Sequence, residues 1–145
     1  MQSAVQKSMT KVYRRGDTYI APRGAFFDGN VKIDGDFIVP PDTHIWGWLK
    51  VGGRLELGPL STVGGRVESR SAVIGRDVRL KGPLVVEEDV VICDNARLKS
   101  VTAGGNITLR QGVRVGDVTS SGTIYVHGKI KSDRLVGRAV KVYTV

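Results

Sequence analysis

The sequence predicts an all-β, single-domain parallel β-helix, and three observations lead to this fold class. Apolar or small residues come in pairs separated by one residue, and the pairs recur about every six positions from Ala25 to Val142. The pairs return in register every 17 or 18 residues, which sorts them into three columns. No residue in these columns is charged, although 25% of the chain is. This pattern is typical of a chain that coils and adds three short strands per turn.

Each pair predicts one strand with one face turned inward, because side chains alternate between the faces of a strand. Only about three residues separate consecutive strands, too few for a crossover helix, so each strand is expected to pair in parallel with the strand one turn later. The coil should make six to seven turns. The predicted columns are Val31/Ile33, Leu49/Val51, Val67/Ser69, Leu84/Val86, Val101/Ala103, Val118/Ser120, Leu135/Gly137; Phe37/Val39, Leu55/Leu57, Ala72/Ile74, Val90/Ile92, Ile107/Leu109, Ile124/Val126, Val140/Val142; and Ala25/Phe27, Thr43/Ile45, Ser61/Val63, Val78/Leu80, Ala96/Leu98, Val113/Val115, Ile130/Ser132.

The N-terminal segment lies outside the repeat. Residues 1–18 are polar and basic and are predicted to form a flexible tail, while residues 19–145 are predicted to form the β-helix domain. Apolar residues at helical spacing in this tail accompany four cations, Lys7, Lys11, Arg14 and Arg15. One hypothesis is a tether to an anionic membrane surface. The other is a solvated, disordered tail.

The segment Pro40–Trp48 is expected to be an irregular loop, and it contains His44 and two tryptophans. Packing over the first turns is one interpretation, and a ligand or partner site is the other. Beyond it, glycines such as Gly53 and Gly105 supply the tight corners. At the two ends, GAFFDG and KVYTV carry apolar residues that a cap would normally cover, so both ends are expected to associate.

The outward residues of the third column form a row that includes four consecutive cations. Like charges one turn apart repel each other, so the row costs stability unless an anion screens it. One hypothesis is an anion-binding face for lipid headgroups or another polymer, and the other is a barrier against lateral aggregation. The outward residues of the second column are largely apolar and suit side-by-side association. The cations of the row are Arg79, Arg97, Arg114 and Lys131.

Catalytic chemistry has little support in the sequence. The two histidines, His44 and His127, lie several turns apart, and Cys93 is expected about two turns from His127, too far to share a metal or form a nucleophile–base pair. The glycine pairs lack the lysine and helix of a phosphate-binding loop. The sequence therefore predicts no enzyme: no catalytic residue, no metal site, no cofactor and no small-molecule substrate.

Bulk composition places further bounds on the protein. One cysteine excludes an intramolecular disulfide framework and suits a reducing cytoplasm. No apolar stretch approaches the length of a membrane span, and no signal peptide is evident, so a cytoplasmic location is expected. The net charge of +8 favours attraction to anionic surfaces.

The chain has a short basic tail, apolar ends and repeat units such as GNVKIDGDFIV, GRLELG and SGTIYVHGKIKS. With these features, residues 25–142 resemble the bactofilins, which are polymer-forming cytoskeletal proteins of bacteria and archaea. The resemblance implies a right-handed β-helix that assembles end to end into nonpolar filaments without nucleotide, a scaffold that often lies on the inner face of the cell membrane through its N-terminal segment. The chain itself is then its main partner. The polymer contacts implied by the resemblance are Phe26, Phe27, Leu135, Val140, Val142 and Tyr143.

A left-handed β-helix enzyme of the hexapeptide-repeat type, an acyltransferase or a γ-type carbonic anhydrase, is the alternative. Apolar residues at six-residue intervals, as at Leu80, Val86 and Ile92, match that repeat. The 17-residue turns break the strict hexad, and the histidine trio of the anhydrases and the C-terminal helix of the transferases are missing. The hypothesis of a solenoid that binds nucleic acid is based only on the positive charge, so nucleic acid is not the expected partner. The sequence favours the filament protein.

Overall fold

The structure, a computed structural model, describes residues 12–144. In that range it contains strands and no helix, and hence no helix long and apolar enough to cross a membrane. The strands are β1 (Tyr13–Arg15), β2 (Thr18–Ile20), β3 (Phe26–Phe27), β4 (Val31–Ile33), β5 (Asp36–Val39), β6 (His44–Ile45), β7 (Leu49–Val51), β8 (Arg54–Leu57), β9 (Thr62–Val63), β10 (Val67–Ser69), β11 (Ser71–Ile74), β12 (Arg79–Val86), β13 (Val90–Ile92), β14 (Arg97–Ala103), β15 (Ile107–Leu109), β16 (Arg114–Ser120), β17 (Thr123–His127), β18 (Lys131–Val136) and β19 (Ala139–Tyr143).

The strands stack in ladders along one rod. One sheet has the order β1-β2-β5-β8-β11-β13-β15-β17-β19. The second has the order β18-β16-β14-β12-β10-β7-β4, and a branch from β12 runs through β9 and β6 to β3. Every pairing is parallel except that of β1 with β2. The all-β parallel β-solenoid of about seven turns is therefore confirmed. One turn of this coil is called a rung below.

The predicted register is also confirmed. Val31 pairs with Leu49, and Phe37 pairs with Leu55, one rung of 18 residues later. From β12 onward, two predicted strands join into one strand that continues across a corner. In β14, β16 and β18 only two residues separate the inward pairs, as between Leu98 and Val101, and the ladder continues through the corner. In β12 three residues separate Leu80 from Leu84, and the register with β14 shifts between Leu80 and Pro83.

The core occupies the inside of the coil. Through the first six rungs every predicted inward position is buried, including Thr43, Ser61, Ser69 and Ser120. Within residues 12–144, the buried residues outside the predicted columns are Ala21 and two corner glycines, Gly53 and Gly82. Phe27 and Phe37 are the largest side chains of this core. A narrow core of small and β-branched residues thus runs continuously along the rod.

Two segments differ from the sequence-based expectation. Pro40–Trp48 contains the short strand β6, which pairs in register with β3 and β9, so it is a regular rung and not an irregular loop. The buried hydroxyls of Thr43 and Ser61 donate hydrogen bonds to the carbonyl of Pro40, at 2.9 and 3.3 Å, and hold this corner. The repeat continues here because these hydroxyls take apolar positions in the pattern.

The N-terminal boundary also differs. Within the segment predicted to be a flexible tail, β1 pairs antiparallel with β2, and Val12 packs against the core. Residues 1–11 lie outside the described residues. The strand edge of β2 attracts β1 because an uncovered edge leaves backbone donors and acceptors without partners.

Candidate functional surfaces: the C-terminal rung and a cationic face

The last rung exposes residues that occupy core positions in every earlier rung. Val140 and Val142 are 43% and 61% exposed, whereas Ile124 and Val126, which pair with them one rung earlier, are buried. Leu135 on β18 is half-buried. Within the described residues, β18 and β19 pair on one side only. This end therefore presents apolar side chains together with unpaired backbone groups.

Aromatic rings support β19 from the outer face. The Tyr143 ring stacks on His127, with ring centroids 4.9 Å apart, and lies 6.4 Å from the Tyr125 ring. The Lys141 ammonium lies 6.0 Å from the centroid of the Tyr125 ring. These contacts pack Tyr143 and Lys141 of β19 against β17 of the preceding rung. Tyr143, expected to be a polymer contact, is 46% exposed.

The N-terminal end is different. Phe27, expected to be a polymer contact, is only 1% exposed, because it is the inward residue of β3 and packs in the core. Its outward neighbour Phe26 is 46% exposed and meets the Trp46 ring edge-on at 6.2 Å. The expectation for Phe27 is therefore wrong, and β1 covers the edge of β2. The two ends of the rod are not equivalent.

The cations expected in the N-terminal segment fall in two groups. Lys7 and Lys11 lie outside the described residues. Arg14 and Arg15 are exposed on β1. Arg14 donates from Nε to the Gly16 carbonyl at 2.8 Å, and its guanidinium lies 5.4 Å from the centroid of the Tyr19 ring. The structure therefore places this arginine against its own hairpin.

The four cations of the outward row do lie one above another. Strand pairing joins Arg79 to Arg97, Arg97 to Arg114, and Arg114 to Lys131. Among the described residues none of the four has a carboxylate within 4.0 Å, whereas four other arginines do. We call Arg79, Arg97, Arg114 and Lys131 the cationic row. It borders an open groove of about 760 Å³.

The same ladder holds a polar contact that the sequence did not indicate. His44 Nδ1 lies 2.7 Å from Thr62 Oγ1, and Nε2 lies 3.1 Å from Asp42 Oδ1. The sequence signal for this contact is the threonine 18 residues after the histidine, because a spacing of 18 residues places the two side chains on neighbouring rungs. The three side chains form a hydroxyl–imidazole–carboxylate array at the surface, a type of arrangement that can move protons.

Cys93 sits at a corner and is half-buried. Burial raises the pKa of its thiol above the ordinary value; the nearby Arg110 acts in the opposite direction, and Asp94 adds to the rise. The thiol is therefore protonated at neutral pH and is a weak nucleophile. In the described part of the chain, no group of three histidine, cysteine or acidic residues could hold a metal ion.

Comparison with known proteins gives two similar sequences. The bifunctional protein GlmU of Syntrophomonas wolfei is 28% identical over 148 aligned residues, which cover 94% of this chain and 30% of that protein. The bifunctional protein GlmU of Mycolicibacterium vanbaalenii is 30% identical over 120 residues, covering 75% of this chain and 24% of that protein. This chain thus spans less than a third of the length of these relatives. No protein-family model and no solved structure matches it.

Proposed function

We propose that this chain is a structural scaffold protein that self-assembles end to end, without nucleotide, through its C-terminal rung. The observation that carries the proposal is the exposure of core positions at that rung, with Val142 61% exposed above a buried Val126. A second copy that covers this rung buries apolar surface, worth about 25 cal/mol per Å², and pairs the free backbone groups of β18 and β19.

The unequal ends favour contacts between like ends. The first sheet already ends in β1 at the N-terminus, so β19 of one copy has no equivalent open edge there to continue in parallel. Two C-terminal rungs can instead meet about a two-fold axis, in a self-complementary contact. At the other end the edges of β3 and β4 pair on one side only within the described residues, and they supply the second contact of a nonpolar filament. The bactofilin resemblance supports this arrangement.

Attachment to a membrane surface through the N-terminal segment belongs to the same proposal. It is supported by the four cations of that segment and by the net charge of +8. These two properties support the proposal of a cytoplasmic scaffold at the inner face of the cell membrane. Arg15 and Arg14 remain exposed on β1, where they can contact anionic headgroups.

The second candidate is a hexapeptide-repeat enzyme such as an acyltransferase. The similarity to two GlmU proteins supports this candidate more directly than it supports the filament. The array of Thr62, His44 and Asp42 is the observation in the structure that favours it, because an imidazole between a hydroxyl and a carboxylate suits a general base. In this hypothesis His44 would accept a proton from the substrate.

Replacement of Val142 by Asp tests the scaffold. The carboxylate would lie inside the contact without a partner, a cost of several kcal/mol for a buried charge, so we expect monomers or dimers where the parent forms filaments. The matched control is Leu60→Asp, which adds the same charge at an apolar residue 51% exposed on the side of the rod. Sedimentation and negative-stain micrographs measure the outcome.

Filaments of Val142→Asp as long as those of the parent would contradict the end-to-end contact, and so would a parent that stays monomeric at every concentration. The same preparations separate the two candidates. Given an amine or hydroxyl acceptor, an acyltransferase would move the acetyl group of acetyl-CoA to that acceptor and release the CoA thiol in the Val142→Asp protein, and would lose this activity in His44→Ala. A scaffold would show neither property.

A further inference from the structure

The structure assigns to the cationic row and the groove beside it a second role, as a binding site for an extended chain of phosphate groups. This role goes beyond the proposed scaffold. The row consists of Arg79, Arg97, Arg114 and Lys131, stacked in register on four consecutive rungs. Neighbouring rungs of parallel strands lie about 4.8 Å apart, so the four charges form a straight line along the rod.

The row is unpaired in a protein that pairs other arginines. Arg54 forms an ion pair with Glu56, and Arg66 forms one with Glu68; in both pairs the glutamate lies two positions after the arginine. Of the four cations only Lys131 has a carboxylate at that spacing, Asp133, and within residues 12–144 no carboxylate lies within 4.0 Å of any of the four. Unscreened like charges in register are destabilising, so an anionic ligand would gain energy by neutralising them.

The groove makes the surface around the cationic row concave. It holds about 760 Å³, and besides the row it is lined by Asn95, Gln111 and Lys129, which precede the cations by two or three residues at the adjoining corner. The carboxylate that also borders it, Asp77, accepts a hydrogen bond from Arg76 at 3.0 Å and so is already engaged. A concave channel beside a straight row of cations admits a single extended chain. A flat bilayer would meet only the rims.

Phosphate suits the spacing better than carboxylate does. A carboxylate has two oxygens, and one guanidinium can occupy both. A phosphate group in a chain carries oxygens that point in different directions, so it can lie between two rungs and accept from Arg97 and Arg114 at once. Repetition of this contact along the row fits a linear polyphosphate or a single-stranded phosphodiester, which share this chemistry.

The test measures binding of fluorescently labelled linear polyphosphate by anisotropy, with orthophosphate as the monomeric competitor. We expect Arg97→Gln with Arg114→Gln to weaken binding about tenfold, since two charge-assisted contacts are lost. The slope of log K against log salt should become shallower by about two. The matched control, Arg54→Gln with Arg66→Gln, removes the same net charge from other faces and should change affinity less than about threefold.

Equal losses in the two double variants would overturn the proposal, because net charge alone would then explain binding. Binding to phosphatidylglycerol vesicles without binding to polyphosphate would overturn it in favour of a membrane face. Lateral bundles of the Arg97→Gln, Arg114→Gln protein with unchanged polyphosphate affinity would identify the row as a barrier to aggregation. A labelled oligothymidylate in place of polyphosphate distinguishes the two phosphate sources. The Val142→Asp monomer should still bind, so failure here is separate from failure of the scaffold.

Discussion

Leu60 has a backbone conformation that its side chain disfavours. Its φ is 65°, in the left-handed region, where a β-carbon approaches the following carbonyl. The same corner on neighbouring rungs is occupied by Asp42, Asp77 and Asn95, also at positive φ, and by Gly112. Short polar residues and glycine tolerate this region, whereas leucine does not. Leu60 is 51% exposed, so burial offsets little of the cost.

Replacement of Leu60 by Asn should therefore stabilise the protein by about 1 kcal/mol. The variant would reproduce what Asn95 already does at the same corner two rungs further along the rod. Urea denaturation measures the change. Asn95→Leu, the reverse exchange at an equivalent corner, should destabilise by a similar amount. A less stable Leu60→Asn protein would show that the exposed leucine has packing value that outweighs its strain.

At the scale of the element, corners stack through side-chain oxygens. Asp89 Oδ1 accepts a hydrogen bond from the backbone N–H of Asn106 at 2.7 Å, and Asn106 Oδ1 accepts from that of Thr123 at 2.9 Å. The residue just before each donor is a glycine, Gly105 or Gly122. A β-carbon at either glycine would collide with the accepting oxygen. The pattern couples an Asp or Asn in one rung to a glycine in the next.

A double-mutant cycle tests this coupling. Gly122→Ala alone should destabilise by about 2 kcal/mol, because the added methyl group overlaps Asn106 Oδ1. In the Asn106→Ala background the nearest remaining atom is a backbone carbon 3.4 Å away, an ordinary contact, so the same change should cost less than about 1 kcal/mol. Free energies of unfolding from urea curves give the cycle.

Gly29→Ala is the steric control for that cycle. A β-carbon at Gly29 meets no atom within 4 Å, so this change should be neutral or slightly stabilising through reduced freedom of the unfolded chain. An equal cost of Gly122→Ala in both backgrounds would mean that the backbone of the preceding rung, and not the Asn106 side chain, excludes the methyl group.

In the assembly of whole molecules, burial of the apolar ends opposes the repulsion between copies that carry the same large positive charge. Each copy carries +8, and like-charged rods repel over about 30 Å at 0.01 M salt but only about 8 Å at 0.15 M. The contact of the C-terminal rung rests on Leu135, Val140 and Val142, which salt does not screen. Charge should therefore oppose assembly and burial should drive it.

The concentration at which filaments form should accordingly fall as salt rises from about 0.01 M to about 0.15 M. Light scattering across a protein dilution series at each salt concentration measures it. The Leu60→Asp control, with its lower net charge, should need less salt for the same effect. Filaments that dissolve as salt rises would indicate a contact made by opposite charges, and the apolar terminal rung would then be the wrong interface.

Much of this architecture was predictable because a coil repeats one local rule. Spacing alone predicted the inward residues from Ala25 to Val126 and the pairings of the cationic row, since each rung constrains the next through the same two-residue alternation. The exceptions are local. The sequence of Pro40–Trp48 resembles a loop because the polar residue Thr43 stands where the repeat usually has an apolar one. In the structure the Thr43 hydroxyl donates a hydrogen bond to the Pro40 carbonyl, which takes the place of an apolar contact.

Residue spacing is therefore enough to predict the coil, its register and which residues face inward. Which of these inward residues are covered becomes evident only in the folded rod. Phe27 and Val142 are both predicted inward residues at an end of the rod, yet one is 1% and the other 61% exposed. Periodicity describes one strand and its neighbours, whereas the exposure of an inward residue at an end depends on what covers the terminal rung, which spacing does not describe.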